Sequence, residues 1–248
     1  MAPNDFGQLL RDAAQRLGVA AGRAELVVAG CRRWPRLAGD VERAAADAAE
    51  LLRGLLERPG DPVALWRAGD RWRVAVAAPT GDRAATFTAD FVHADDHWRG
   101  PAAEAYRATL PPQHEALRET HEIAGAAAGS LHESATALVA FWAAVGTALA
   151  GLSAQLAAAV AATATPLTAP AGAAMAVAAL SEAIAVVDGL TRALSAALEH
   201  ARHTQQALLD RLSDPAVFPG GRWPVSAAST LSDASLSDGD ASDWSLAR

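Results

Sequence analysis

Between Ser134 and Ser181 the chain carries no Asp, Glu, Arg or Lys, a run of 48 residues in a sequence of 248. A stretch that long without charge has to bury at least one side. It is made mostly of Ala, with Leu, Val, Gly and the aromatic pair Phe141-Trp142, and alanine is the strongest helix former. The run therefore reads as two apolar helices joined by a turn at Thr165-Pro166 and Ala169-Pro170. Two destinations fit it. One is a buried hairpin inside a soluble bundle. The other is a hairpin that enters a membrane, since about 20 residues at about 1.5 Å each cover the hydrocarbon core. Gly146, Ala150 and Gly151 allow close helix packing in either setting. Near-neutral alanine, with Ser153 and Gln155, keeps the run at the border of insertion. If it inserts, a charge at Val145 should abolish partitioning into liposomes.

The rest of the composition agrees on class. Of the 248 residues 65 are alanine, and aromatics make up only 5%. Helices built this way bury little area per residue, so they must approach closely to make a core. Strand-like alternation is nearly absent, and the class is all-α: an elongated bundle of five or six helices built on antiparallel helical hairpins. All 21 basic residues are Arg, which reflects a GC-rich genome. A net charge of −7 leaves no basic stripe to displace counterions from phosphates, so no nucleic-acid partner is expected. Cys31 is the single cysteine; it rules out a disulfide framework or a cysteine-based metal site within one chain and reads as a structural thiol.

In chain order, residues 4 to 30 form a helix that Asn4 or Asp5 can cap, ended by Trp34-Pro35. A second, about 37 to 58, places Val41, Ala44, Ala45, Ala48, Leu51, Leu52 and Leu55 on one stripe and stops at Pro59-Gly60. Residues 1–60 are thus an N-terminal helical pair. Asp61-Pro62 starts the next helix, with a carboxylate at the cap and proline in the first turn. Pro79 should break or kink it. A further helix follows Pro101, with Pro111-Pro112 expected to bend or split it, and runs on to about Ala164. The last helix, about 171 to 212, packs on the hairpin as the segment 165–212. Residues 213–248, rich in Pro, Gly, Ser and Asp, are expected to be a disordered acidic tail.

The junction His97-Trp98-Arg99-Gly100-Pro101-Ala102-Ala103-Glu104-Ala105-Tyr106 lies between two helical patterns. Gly100 can take the positive φ that closes a tight turn, and Pro101 suits the first position of a helix. Ala102 and Ala103 leave room for two helices to meet. This helix–Trp-x-Gly–helix pattern resembles the WxG-type, ESAT-like family of helical-hairpin proteins exported by type VII secretion. The resemblance covers about residues 61–164. It implies an antiparallel hairpin turning at Trp98, Gly100 and Pro101, with Trp66, Trp72, Ala102, Ala103, Tyr106, Phe141 and Trp142 as packing or interaction residues. It also implies a helical partner, in a hetero- or homodimer. The family's Tyr-x-x-x-Asp/Glu export signal is not formed, because Leu110 stands four residues after Tyr106; a paired chain or a variant signal would have to supply it.

Met1 to Arg16 lacks the basic and apolar regions of a cleavable signal peptide. The expectation is export by a signal-peptide-independent route, or a cytoplasmic location. His93 and His97 stand four apart, and His200 and His203 three apart, but neither pair has a third ligand at recognisable spacing. No G-x-S-x-G elbow, P-loop or dinucleotide-binding glycine pattern occurs. The sequence thus points to a non-enzymatic helical interaction protein without cofactor or metal. A membrane-inserting protein using 134–181 and a cytoplasmic helical scaffold or chaperone are the other two readings.

Overall fold

A computed structural model describes residues 3–87, 98–99, 101–224 and 245–246. The protein is all-α: α1 (Pro3–Gly30), α2 (Pro35–Glu57), α3 (Pro62–Trp72), a π-helical turn (Arg73–Ala77), α4 (Ala78–Thr86), α5 (Pro101–Ala162) and α6 (Ala169–Leu212). A two-residue antiparallel ladder, β1 (Trp98–Arg99) with β2 (Ser245–Leu246), pairs Trp98 with Leu246 and Arg99 with Ser245. Gly100 and the expected histidines His93 and His97 lie outside the described residues, as do 225–244 and 247–248 of the expected tail.

The chain divides into two units, residues 1–65 with 133–200 and residues 66–132 with 201–248. The division does not follow the expected boundaries at 60 and 164, because α5 and α6 are single helices that contribute residues to both units.

In the first unit, α1, α2, the second part of α5 and the first part of α6 share one core. On α5, Trp142, Val145, Leu149, Leu152, Leu156 and Ala159 are buried, stepping alternately by three and four. On α6, Ala169, Ala173, Ala176, Leu180, Ala183 and Val187 do the same. Phe6, Leu10, Ala13, Leu17, Ala20, Ala24, Val27 and Cys31 continue the rhythm along α1. This average of 3.5 residues is the seam of coiled-coil packing, in which each knob enters a hole on the facing helix. Alanine fills eight of these twenty seam positions, so the helices close together to keep contact. Arg16 Nη1 donates to Gly146 O at 2.6 Å, and Arg23 Nη1 donates to Ser153 O. Cys31 is fully buried, its Sγ 3.6 Å from Ala169 O; burial pushes its thiol pKa up.

Closeness is greatest at the α5–α6 turn. A Cβ on Gly172 would stand 2.8 Å from Ala159 O and 3.0 Å from Thr163 N. Backbone atoms cannot rotate away as a side chain would. Gly172→Ala is therefore expected to destabilise the protein by about 1–3 kcal/mol despite alanine's better helix propensity. Urea denaturation checks this, and an unchanged or higher midpoint would show that the turn does not need the glycine.

The second unit holds α3 from Trp66 onward, the π turn, α4, the first part of α5 and the end of α6. Asp61 caps α3 as expected, its Oδ1 accepting from Ala64 N at 2.8 Å. Pro79 neither breaks the helix nor ends it. The π turn just before it absorbs the missing N–H, with Ala78 N donating to Arg73 O five residues back. Thr80 Oγ1 covers Val76 O at 2.7 Å and Ala77 O at 3.1 Å. Pro111-Pro112 does not split its helix either; both lie inside α5. A proline φ is already helical, so the cost is confined to two lost backbone hydrogen bonds near the start of a 62-residue helix.

The expected tail begins later than residue 213. Residues 213–224 are ordered: Ala216 N donates to Asp214 Oδ1 at 2.9 Å and Phe218 N to Asp214 O at 2.8 Å. Phe218 is buried with Ala116 and Ile123, and Gln113 Nε2 reaches Pro224 O at 3.3 Å. The Pro-Gly composition conceals a buried aromatic, Phe218, whose packing helps to hold the segment. Arg211 ties the same region by bonds to Glu119 Oε1 (2.5 Å) and Glu122 Oε2 (2.8 Å). The bond to Glu119 is the main reason its guanidinium pKa is raised.

Candidate functional site

The helical pattern on either side of the Trp98–Gly100 junction becomes two arms. The arm Pro62–Thr86 and the first part of α5 run antiparallel, and two glycines mark their contact. A Cβ on Gly81 would meet the His121 ring at 2.7 Å, and one on Gly69 would meet the His132 ring at 2.6 Å. Each imidazole thus lies against bare backbone and reaches a carbonyl beside it. His121 Nδ1 donates to Ala77 O at 2.7 Å, a carbonyl on the π turn. His132 Nε2 lies 3.3 Å from Trp66 O and 3.2 Å from Asp70 Oδ1, while Arg73 Nη2 donates to its Nδ1 at 3.0 Å. These partners place the proton on Nε2 and occupy both ring nitrogens.

The residues named from the sequence distribute as follows. Phe141 and Trp142 are core of the first unit, 6% and 1% exposed, with ring centroids 5.5 Å apart in an edge-on pair. Trp142 Nε1 donates to Pro59 O at 2.9 Å. Trp66 and Trp72 belong to the second unit; Trp66 is half-buried, and Trp72 is 43% exposed. Tyr106 is half-buried on α5, and Leu110, where an export signal would need a carboxylate, is buried. Pro101, Ala102 and Ala103 open α5. Of these aromatic residues, Phe141 and Trp142 are interior to the first unit, while Trp66 and Trp72 belong to the second.

Sequence reading missed an apolar groove in the first unit. It holds about 310 Å³, with Ala20 and Ala24 of α1 facing Ala45 and Ala49 of α2 over a floor of Leu152 and Leu180. The signal was present as alanines repeated at helical spacing on both members of the N-terminal pair. Its walls are mostly alkyl groups, with Glu25 and Glu42 also lining it, suited to the side chains of a helix or to a small apolar molecule. The charged residues that the sequence clusters on the first half of α5 pair with one another: Arg118 pairs with Glu115 and Glu122, and the hydrogen bond from Arg118 lowers the Glu115 pKa. Among the described residues no three of His, Cys, Asp and Glu come together as a metal site.

What this geometry defines is a class, an all-α protein of antiparallel helices whose larger unit is a four-helix seam. No family model matches the chain, no curated protein matches it, and no solved structure matches it.

Proposed function

We propose that the protein is a non-enzymatic helical interaction protein, similar to type VII secretion substrates, that acts by laying a helix face against a second helical chain. The observation that supports this reading is the antiparallel pairing of Pro62–Thr86 with α5 on either side of Trp98-Arg99-Gly100, close enough for imidazole rings to rest on Gly69 and Gly81. The test is purification of the tagged full chain from its native host, with light scattering of the product. A stoichiometric complex with one helical chain is expected, and Trp98→Ala with Gly100→Ala should lose that chain while keeping its helical circular dichroism. A monomer without a partner, or a double variant that binds as wild type does, overturns the reading. Comparing culture medium with cells, with and without a working secretion ATPase, separates export from a cytoplasmic scaffold.

A second reading is favoured by one observation. Both α5 and α6 contain stretches long and apolar enough to cross a membrane, and most of each stretch is not buried within the chain. On this reading the 134–181 hairpin inserts after delivery.

A further inference from the structure

One end of the first unit is unlike the rest of this acidic protein. There the α1–α2 turn and the α5–α6 turn lie side by side. A Cβ on Gly30 would meet Thr163 Oγ1 at 2.6 Å, and Cys31 Sγ contacts Ala169 O across the same boundary. The α1–α2 turn contributes Arg32 and Arg33, and the first turn of α2 adds Arg36; all three are exposed, and among the described residues none is paired with a carboxylate. The α5–α6 turn contributes Leu167, 90% exposed and the most exposed large apolar residue described. It is held outward by a local brace, Thr165 Oγ1 to Thr168 Oγ1 at 2.7 Å, with Pro166 stiffening the backbone before it.

We infer that this end docks on anionic phospholipid surfaces, Arg32, Arg33 and Arg36 engaging headgroup phosphates while Leu167 enters the acyl boundary. Guanidinium groups suit phosphate oxygens because their planar donors pair with two oxygens at once. An exposed apolar residue on the same end as a group of exposed cations is a combination by which peripheral proteins join shallow insertion to electrostatic attraction. The net charge of −7 does not oppose this at close range. At about 0.15 M salt the Debye length is about 8 Å. On α6 the nearest carboxylate, Glu182, is 13 residues beyond Ala169, roughly 20 Å along a helix. Asp40, one turn past Arg36, is paired with Arg43 at 3.3 Å. The inference uses the folded bundle as it stands and does not rest on the hairpin pairing proposed above.

The test is flotation of the full-length protein with vesicles of phosphatidylcholine alone or with one third phosphatidylglycerol. Binding is expected only to the anionic vesicles, with unchanged circular dichroism and release at high salt. Each arginine near such a surface is worth about 1 kcal/mol, so Arg32→Gln with Arg33→Gln should weaken partitioning roughly 30-fold. Leu167→Asp should weaken it about tenfold. These positions are exposed, so thermal unfolding of the variants should match wild type. Equal binding to both vesicles, no binding at all, or wild-type binding by the arginine variant would overturn the inference. So would full competition by soluble glycerol phosphate, which would indicate an anion site without a membrane. An arginine-dependent dimer in the absence of vesicles would overturn it too, by making a second copy the occupant.

Discussion

Replacement of Trp142 by alanine is expected to cost about 3–5 kcal/mol and to lower the melting temperature of the first unit by roughly 10 °C. Trp142 is the largest fully buried side chain, 1% exposed on the seam of α5. Its removal leaves a void that the neighbouring alanines cannot fill, because they have no rotamers with which to reach into it. It also deprives Pro59 O of the indole N–H and Phe141 of its edge-on ring, and an orphaned carbonyl adds to the loss. Trp223→Ala is the matched control: at 44% exposure it should cost less than about 1 kcal/mol. Guanidinium denaturation followed by circular dichroism compares the two. Similar losses at both positions would mean that the first unit does not depend on this indole.

The second large effect separates the soluble seam from the membrane reading. Val145→Asp should prevent the first unit from folding, since Val145 is fully buried among apolar groups and an unpaired carboxylate there costs several kcal/mol. Any loss of liposome partitioning by that variant would therefore report unfolding as much as insertion. Ala154, on the same helix, is exposed. Ala154→Asp should leave the melting temperature within a few degrees of wild type, yet it places a charge in the uncharged run that costs about 3 kcal/mol at the centre of a bilayer. If the hairpin inserts, Ala154→Asp loses partitioning while remaining folded. A folded Ala154→Asp protein that still enters vesicles as wild type does would end the insertion reading. Destabilisation by Ala154→Asp comparable to that by Val145→Asp would contradict the seam itself.

Much of the architecture is written in short-range signals. Asp61-Pro62 starts α3, Pro59-Gly60 separates it from α2, and Thr165 to Pro170 turns α5 into α6; each depends on φ limits and side-chain caps that act within a few residues. The stripe on α2 was legible for the same reason, as apolar spacing is a local property. The prolines misled because a helix boundary is decided by what replaces a lost hydrogen bond. At Pro79 a π turn and Thr80 replace it, and at Pro111-Pro112 the long helix tolerates the loss. Phe218 misled in the opposite direction: an aromatic in a Pro-Gly segment is a weak local signal, yet Ala116 and Ile123 are placed to receive it.

The sequence by itself determined that this chain is helical, where most of its helices begin and end, and that the run from Ser134 to Ser181 must turn an apolar side away from water. Those properties follow from backbone sterics and from periodicity, neither of which needs a neighbour. Only the tertiary structure decided which side is buried, and so made Val145 interior and Ala154 surface within one uncharged run. Only it seated His121 and His132 on glycines about forty and sixty residues away in sequence, and brought the turn carrying Arg32 against the turn carrying Leu167 at one end of the first unit. Contacts of that kind are selected by the shape of the assembled helices, which no local pattern in the chain records.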